Sequence, residues 1–225
     1  SGGTNTAIGY RALYSNTTGS SNFAACREAL RSNTTGVGNF GMGFFALYSN
    51  VSGSYNIGIG NSALQNNTTS SNIAIGNNAA LNNTIGSVVA IGYEALKANT
   101  TGGANTAIGL NSLWSNTTSS NNTAIGAQAL YYSTGQGNTA VGSKALIGNT
   151  EGQYNTGIGV NTLFGSTTTQ GNTAIGNNAL YSNGNTVTGL GAITGGSGYT
   201  NGTYTNVKMI TIPAAAPAAE FPVAN

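Results

Sequence analysis

The chain has no histidine and no aspartate, contains a single cysteine, Cys26, and carries only ten formally charged residues among its 225. Without an imidazole there is no histidine base and no histidine metal ligand. One thiol can neither close an internal disulfide nor complete a structural zinc site. The composition therefore argues against an enzyme and predicts neither a cofactor nor a metal.

The charge that is present is also sparse, with a formal net value of +2. Such a balance provides no electrostatic footprint for nucleic acid or for an anionic membrane surface. No apolar run approaches the roughly 20 residues that span a bilayer. We expect no nucleic-acid partner and no membrane insertion. The opening residues Ser1-Gly2-Gly3 show no signal-peptide pattern, which suggests a processed product or a fragment.

The abundant residues are instead small or polar: the chain has 35 Gly, 33 Asn and 31 Thr. Such a composition could also indicate disorder. A short repeat argues against disorder. The pentapeptide Asn-Thr-Ala-Ile-Gly, or a close variant, returns every 16 or 17 residues. Its last position falls at Gly9, Cys26, Gly43, Gly60, Gly76, Gly92, Gly109, Gly126, Gly142, Gly159 and Gly176. Eleven copies predict a solenoid, and units this short exclude a helix pair.

We therefore predict an all-β fold, a parallel β-solenoid of about eleven coils, each with two strands of about five residues and two turns. The residue before the repeat glycine is mostly Ile, as at Ile8, and the residue four positions after it is mostly Leu, as at Leu13. Because side chains alternate between the faces of a strand, we expect these two columns to form the core. In one coil Leu81 arrives a residue late.

Two other columns consist mainly of small residues. Every residue two before the repeat glycine is Ala or Gly, and most residues three after it are Ala. We predict that both columns face outward and pack against another copy of the chain, whose aromatic stripe begins at Tyr14. The residues expected at this subunit interface are Ala7, Gly9, Ala107, Gly109, Ala124, Gly126, Tyr14, Tyr48, Trp114, Tyr131, Phe164 and Tyr181.

Asparagines mark the predicted turns, one column before the first strand (Asn5, Asn22) and another after the second (Asn16, Asn33). Asparagine tolerates left-handed backbone geometry, and stacked amides can form a ladder. The repeat fades near residue 184. The sequence thus divides into a solenoid shaft (1–184), a short β cap or junction (185–212) and an extended Pro/Ala-rich tail (213–225).

The glutamates do not form the paired carboxylates of a glycosidase. Glu28 and Glu94 share a column but lie four coils, or roughly 19 Å, apart, whereas such pairs are about 5–9.5 Å apart. We expect Glu28 to form an exposed ion pair with Arg11, which lies one coil away in the same column. Cys26 is interpreted as a small substitute for the repeat glycine.

Three further patterns have competing interpretations. Thr pairs such as Thr17-Thr18 could order water for ice binding, or could be ordinary turn residues. Asn-x-Thr sequons such as Asn33-Thr34-Thr35 arise from the repeated turn and would indicate glycosylation only in a eukaryotic secreted protein. The aromatic residues just after the repeat glycine could bind sugar rings or serve chain packing; they are Tyr10, Phe44, Phe45 and Tyr93.

The repeat Asn5-Thr-Ala-Ile-Gly9-Tyr-Arg-Ala-Leu-Tyr-Ser-Asn-Thr-Thr-Gly19 resembles the head repeat of YadA-type trimeric autotransporter adhesins. More closely, it resembles a repeat common in predicted bacteriophage tail fibre proteins. The resemblance covers about residues 4–183, and residues 195–204 are similar to stretches of cyanophage virion proteins. It implies a left-handed β-roll, a homotrimer with intertwined or side-by-side chains, and attachment to a host surface.

The coils are longer than the usual adhesin head repeat, and the sequence shows no stalk heptads or membrane anchor, which favours a phage fibre. The resemblance then implies a location in the virion tail, contacts with other tail or baseplate proteins, and a host cell-surface glycan or protein as receptor. Three alternatives stay open: a bacterial surface adhesin head, a self-assembling extracellular filament and an ice-binding solenoid.

Overall fold

A single parallel sheet runs through the computed structural model, which describes residues 2–181. Each coil contributes one three-residue strand. The strands are β1 Thr6–Ile8, β2 Phe23–Ala25, β3 Phe40–Met42, β4 Ile57–Ile59, β5 Ile73–Ile75, β6 Val89–Ile91, β7 Thr106–Ile108, β8 Thr123–Ile125, β9 Thr139–Val141, β10 Thr156–Ile158 and β11 Thr173–Ile175. The predicted parallel β-solenoid is confirmed.

The sheet order follows the chain from β1 to β11, and equivalent residues of successive coils stay in register. Ala7 pairs with Ala24 and Ala107 pairs with Ala124. The near-regular repeat favours this register, because each residue meets its own counterpart one coil later. The described residues contain no helix that could cross a membrane.

The prediction of a second strand in each coil was wrong. The residues expected to form it, which follow the repeat glycine, are a run of turns. Two residues per coil there have left-handed backbone, such as Arg11 (φ 54°) and Leu13 (φ 51°). Left-handed geometry costs a non-glycine residue roughly 1–2 kcal/mol. Hydrogen bonds between coils offset this cost: the Leu13 N–H donates to the Ala29 carbonyl, and the Glu28 N–H to the Tyr10 carbonyl.

The core columns also differ from the expectation. The Leu column is buried as predicted, but the small residue in the middle of each strand, such as Ala24, is buried with it. The Ile column predicted for the core lies on the outer face instead, with Ile125 38% exposed. Each coil is therefore filled by Leu from one side and Ala or Gly from the other.

The interior is narrow, and this explains why the strand centres are small. A Cβ added at Gly41 would lie 3.2 Å from Cγ of Leu30, and one at Gly58 would lie 3.1 Å from Cγ of Leu47. The leucine side chains thus occupy the space that a larger strand residue would need. In the coil with the late leucine, Ala80 takes the buried left-handed position (φ 47°) of the leucine column.

Two ladders of buried asparagines run along the inside of the coils. In the first, the Asn39 N–H donates to Oδ1 of Asn22, one coil earlier, at 2.9 Å. In the second, Nδ2 of Asn50 donates to Oδ1 of Asn33 (3.1 Å) and to the Gly53 carbonyl (2.8 Å). The predicted amide ladder is therefore present.

The predicted left-handed backbone, however, falls on the residue before the first asparagine column, such as Ser21 (φ 57°), rather than on the asparagines of the two columns. The asparagines serve through their side chains, which satisfy buried backbone carbonyls. Val88 interrupts the first ladder and packs in the core together with Ile85. The predicted cap, residues 185–212, and the predicted tail, residues 213–225, lie outside the described residues.

Candidate binding surfaces

The small residues predicted to contact another chain pack within their own chain instead. Ala107 and Ala124 are fully buried, so their assignment to a subunit interface was wrong. Ala7, in the first described coil, is exposed. The orientation of these columns was misjudged because a small residue can reflect close packing inside a coil as well as between chains.

Close stacking of coils explains the repeat glycines as well. Gly9 is exposed and Gly109 and Gly126 are half-buried, and the ten repeat glycines have φ between 122° and 140°. A Cβ at Gly109 would lie 2.6 Å from the carbonyl carbon and oxygen of Gly126. Cys26, which replaces the glycine in one coil, has a φ of 93° and is exposed.

The predicted aromatic stripe does face outward. Tyr14 is 68% exposed. Its other members are half-buried or exposed and stack on neighbours in the same chain. Trp114 lies parallel to Tyr131 with centroids 5.2 Å apart, and Phe164 is stacked on Tyr181 at 4.7 Å. Tyr48 lies beneath Arg31 at 5.4 Å. The stripe is thus an intrachain ladder on the turn side, away from the sheet.

The sheet carries an outward surface that sequence reasoning missed. In β2 to β11 the middle residue is buried, while the first and third residues are exposed or half-buried. We call the first and third strand residues the outer sheet face. Most are Ile, Val, Phe, Met or Thr, and Phe23 stacks on Phe40 at 4.6 Å. The alternation around each small residue could have revealed this face.

A second surface concentrates charged and aromatic side chains on the turn side of the first three coils. Three turn-side positions recur in each coil, one, two and five residues after the repeat position. In these coils all of them are aromatic or charged. We call these nine residues the arginine–aromatic patch: Tyr10, Arg11, Tyr14, Arg27, Glu28, Arg31, Phe44, Phe45 and Tyr48.

Within the patch, guanidinium groups and rings alternate. Cζ of Arg11 lies 5.1 Å from the Tyr10 centroid and 5.5 Å from that of Tyr14. Cζ of Arg27 lies between Tyr10 (5.7 Å) and Phe44 (5.4 Å). These distances suit cation–π attraction. The rings therefore hold the arginines in place on an exposed surface.

The ion pairs of the patch differ from the expected pairing of Glu28 with Arg11. Glu28 is nearly buried, and its carboxylate oxygens lie 3.7 Å from Nε of Arg27 and from a terminal nitrogen of Arg31. Arg11 lies against Tyr10 and Tyr14 instead.

Glu94 belongs to a separate cluster four coils along the axis. Its carboxylate accepts hydrogen bonds from Nζ of Lys97 (2.8 Å), Nε1 of Trp114 (2.9 Å) and Nδ2 of Asn78 (3.4 Å). The bond from Lys97, supported by Trp114 and opposed by partial burial, holds the pKa of Glu94 below its ordinary value of 4.5. A carboxylate that stays ionised is a poor general acid.

The remaining motifs have structural explanations. In several turn pairs the first hydroxyl donates to the backbone, as Oγ1 of Thr17 does to the Thr34 carbonyl at 2.9 Å. The sequon residue Asn33 is fully buried in the second ladder and is inaccessible to glycosylation in the folded chain. Among the described residues, no three acidic, cysteine or histidine side chains are grouped to hold a metal. Tyr93 is exposed outside the patch.

Comparison with known proteins returned no matching family model, curated protein or solved structure.

Proposed function

We propose that the chain is a non-enzymatic structural protein, a segment of a trimeric phage tail fibre that holds a stiff β-solenoid against a host cell surface. The observation that supports this most is the outer sheet face. Its third-residue column is apolar in all eleven strands, with Ile8, Met42, Ile125 and Ile175 between 38% and 60% exposed. The face is roughly 50 Å long and on the order of 500 Å² in area, the size of patch that marks an interaction surface.

The repetition of this face favours a second copy of the chain as its partner. Each coil presents the same pair of positions at a rise of about 4.8 Å. A partner surface that contacts every coil in the same way must repeat at this rise. A second copy of the chain, aligned with the first, does so at every coil. Cyclic symmetry would then bury the face of every chain. The number three and the phage context come from the resemblance of the repeat.

The solution mass of the full chain, measured by light scattering, tests this proposal. We expect three chains per particle. The double variant Ile125→Glu/Ile158→Glu places two charges on the outer sheet face and should give a monomer with an unchanged circular dichroism spectrum. The matched control is Leu110→Glu, which changes a 49% exposed residue on the turn side and should keep the wild-type mass. A monomeric wild-type chain would overturn the proposal.

A second candidate, ice binding, is favoured by one feature of the same face. Strands β7 to β11 all begin with threonine, which forms a regular outward column. This column lies on the outer sheet face, whereas several turn threonines, such as Thr17 and Thr34, use their hydroxyls to donate to backbone carbonyls. Thermal hysteresis together with a monomeric mass would favour ice binding, and its absence in a trimer would favour the fibre.

A further inference from the structure

We propose that the arginine–aromatic patch binds a polysaccharide that carries carboxylate groups. The inference rests on the proposed function, because it names the ligand class of an attachment protein. It concerns the turn side of the first three coils and does not involve the outer sheet face.

The charge distribution supports an acidic ligand at this position. The patch holds three arginines and one glutamate, while the other described charges are two lysines and two glutamates. Lys97 is already bonded to Glu94. All the net positive charge of residues 2–181 therefore lies in the patch. A local excess of one sign on an otherwise weakly charged rod attracts a ligand of the opposite sign.

The geometry of the arginines favours carboxylates. Arg11 and Arg27 lie against rings and remain exposed, and Glu28 is 3.7 Å from Arg27, beyond hydrogen-bond distance. A guanidinium whose face is covered by a ring keeps its in-plane N–H donors available. Those donors match the two oxygens of a planar carboxylate as a bidentate pair.

The aromatic residues favour a sugar chain as the carrier of that carboxylate. Tyr10 is 58% exposed and Phe44 38% exposed, and both belong to one column that Arg27 divides. The C–H face of a pyranose ring packs well on such rings. An extended polysaccharide laid along the rod would meet a ring, a guanidinium and a second ring in turn.

Nucleic acid fits the patch less well. Affinity for nucleic acid rises with the number of phosphates that cations neutralise. Three arginines, with Glu28 among them, provide few such contacts. The alternating rings and guanidinium groups therefore fit a ligand with apolar ring faces and isolated carboxylates better than they fit nucleic acid.

The experiment measures binding of the full chain to polygalacturonate, with dextran sulfate, neutral dextran and a thymidine oligonucleotide as comparison probes. Three variants are needed: Arg11→Gln/Arg27→Gln, Arg11→Lys/Arg27→Lys and Lys144→Gln. Lys144 occupies the same repeat position as Arg11, is exposed and lies outside the patch, so its variant is the matched control for loss of charge.

We expect polygalacturonate to bind most tightly. Affinity should fall about tenfold or more in both arginine variants, since lysine keeps the charge but loses the bidentate geometry. Lys144→Gln should bind like wild type. Three results would each overturn the inference. They are tighter binding to dextran sulfate or to the oligonucleotide, wild-type affinity for polygalacturonate in the lysine variant, and no binding to any probe.

Light scattering of the same samples gives the number of chains per particle. A trimer that fails to bind polygalacturonate rejects this inference alone, whereas a monomer rejects the proposed function. The two failures are therefore distinguishable.

Discussion

The repeat glycine tolerates little change in this fold. Gly109 combines a φ of 129° with a hypothetical Cβ 2.6 Å from the Gly126 backbone. We predict that Gly109→Ala lowers the free energy of unfolding by about 3 kcal/mol or more, because it adds backbone strain to a steric overlap with a neighbouring coil. Chemical denaturation followed by circular dichroism measures the change.

Cys26→Gly is the matched control at the same repeat position. Its relief of strain at φ 93° is opposed by the extra freedom of glycine in the unfolded chain. The change should stay below about 1 kcal/mol. If Gly109→Ala were equally mild, close stacking of the coils would not be what selects glycine.

At the scale of the repeated element, the asparagine ladders hold the turns together. Asn50→Ala would remove three hydrogen bonds, those with Asn33, Gly53 and Asn67, and leave Oδ1 of Asn33 without its donor. We expect a loss of about 2–3 kcal/mol in unfolding free energy, the cost of unsatisfied buried polar groups. Thermal and urea unfolding of the variant measure this loss.

Asn66→Ala is the control, because Asn66 lies one coil later and donates a hydrogen bond to Asn82 on the exposed surface at 3.0 Å. Its effect should stay within about 0.5 kcal/mol. Equal effects of the two variants would show that burial of the ladder contributes nothing. Two serines, Ser133 and Ser166, already interrupt the second ladder, and Oδ1 of Asn116, which precedes Ser133, has no partner.

The coil period, the parallel sheet, the buried leucines and the amide ladder could all be predicted from sequence, because each repeats in register. The orientation of the Ala, Gly and Ile columns could not, since a column of small residues fits either a crowded interior or a crowded exterior. One signal in the sequence could have indicated the orientation. The columns of Ala12 and Leu13 are adjacent, and both are apolar, one small and one large. Strand alternation places neighbours on opposite faces, whereas left-handed turns allow Ala29 and Leu30 both to be buried.

The candidate surfaces were predictable only in part. The aromatic columns could be identified from sequence, but the contacts within the arginine–aromatic patch depend on which residues share a side of the coil. Glu28, for example, lies 3.7 Å from Arg31 of its own coil rather than next to Arg11 in its own column.

For the whole molecule, stability should be close to a sum over coils and their interfaces. We predict that deletion of residues 110–126, one complete coil, leaves a folded rod with lower stability and unchanged circular dichroism per residue. Gly109 would then join Ala127 with every column in register. Circular dichroism and thermal unfolding provide the test.

Deletion of residues 110–117 should be far more damaging, because it shifts all later columns out of register with those before them. A half-coil deletion that folds as well as the full-coil deletion would contradict an additive solenoid. The comparison separates the effect of length from the effect of register.

Every coil is attached to the next by the same set of hydrogen bonds, and this gives the rod a mechanical property. Tension along the axis loads the coil interfaces in series, so they yield one at a time. A coil that detaches releases 16 or 17 residues, or about 55 Å of extended chain, from a rise of about 4.8 Å. A tethered rod of this kind lengthens greatly before its chain is taut, and so dissipates a sudden pull as a shock absorber does.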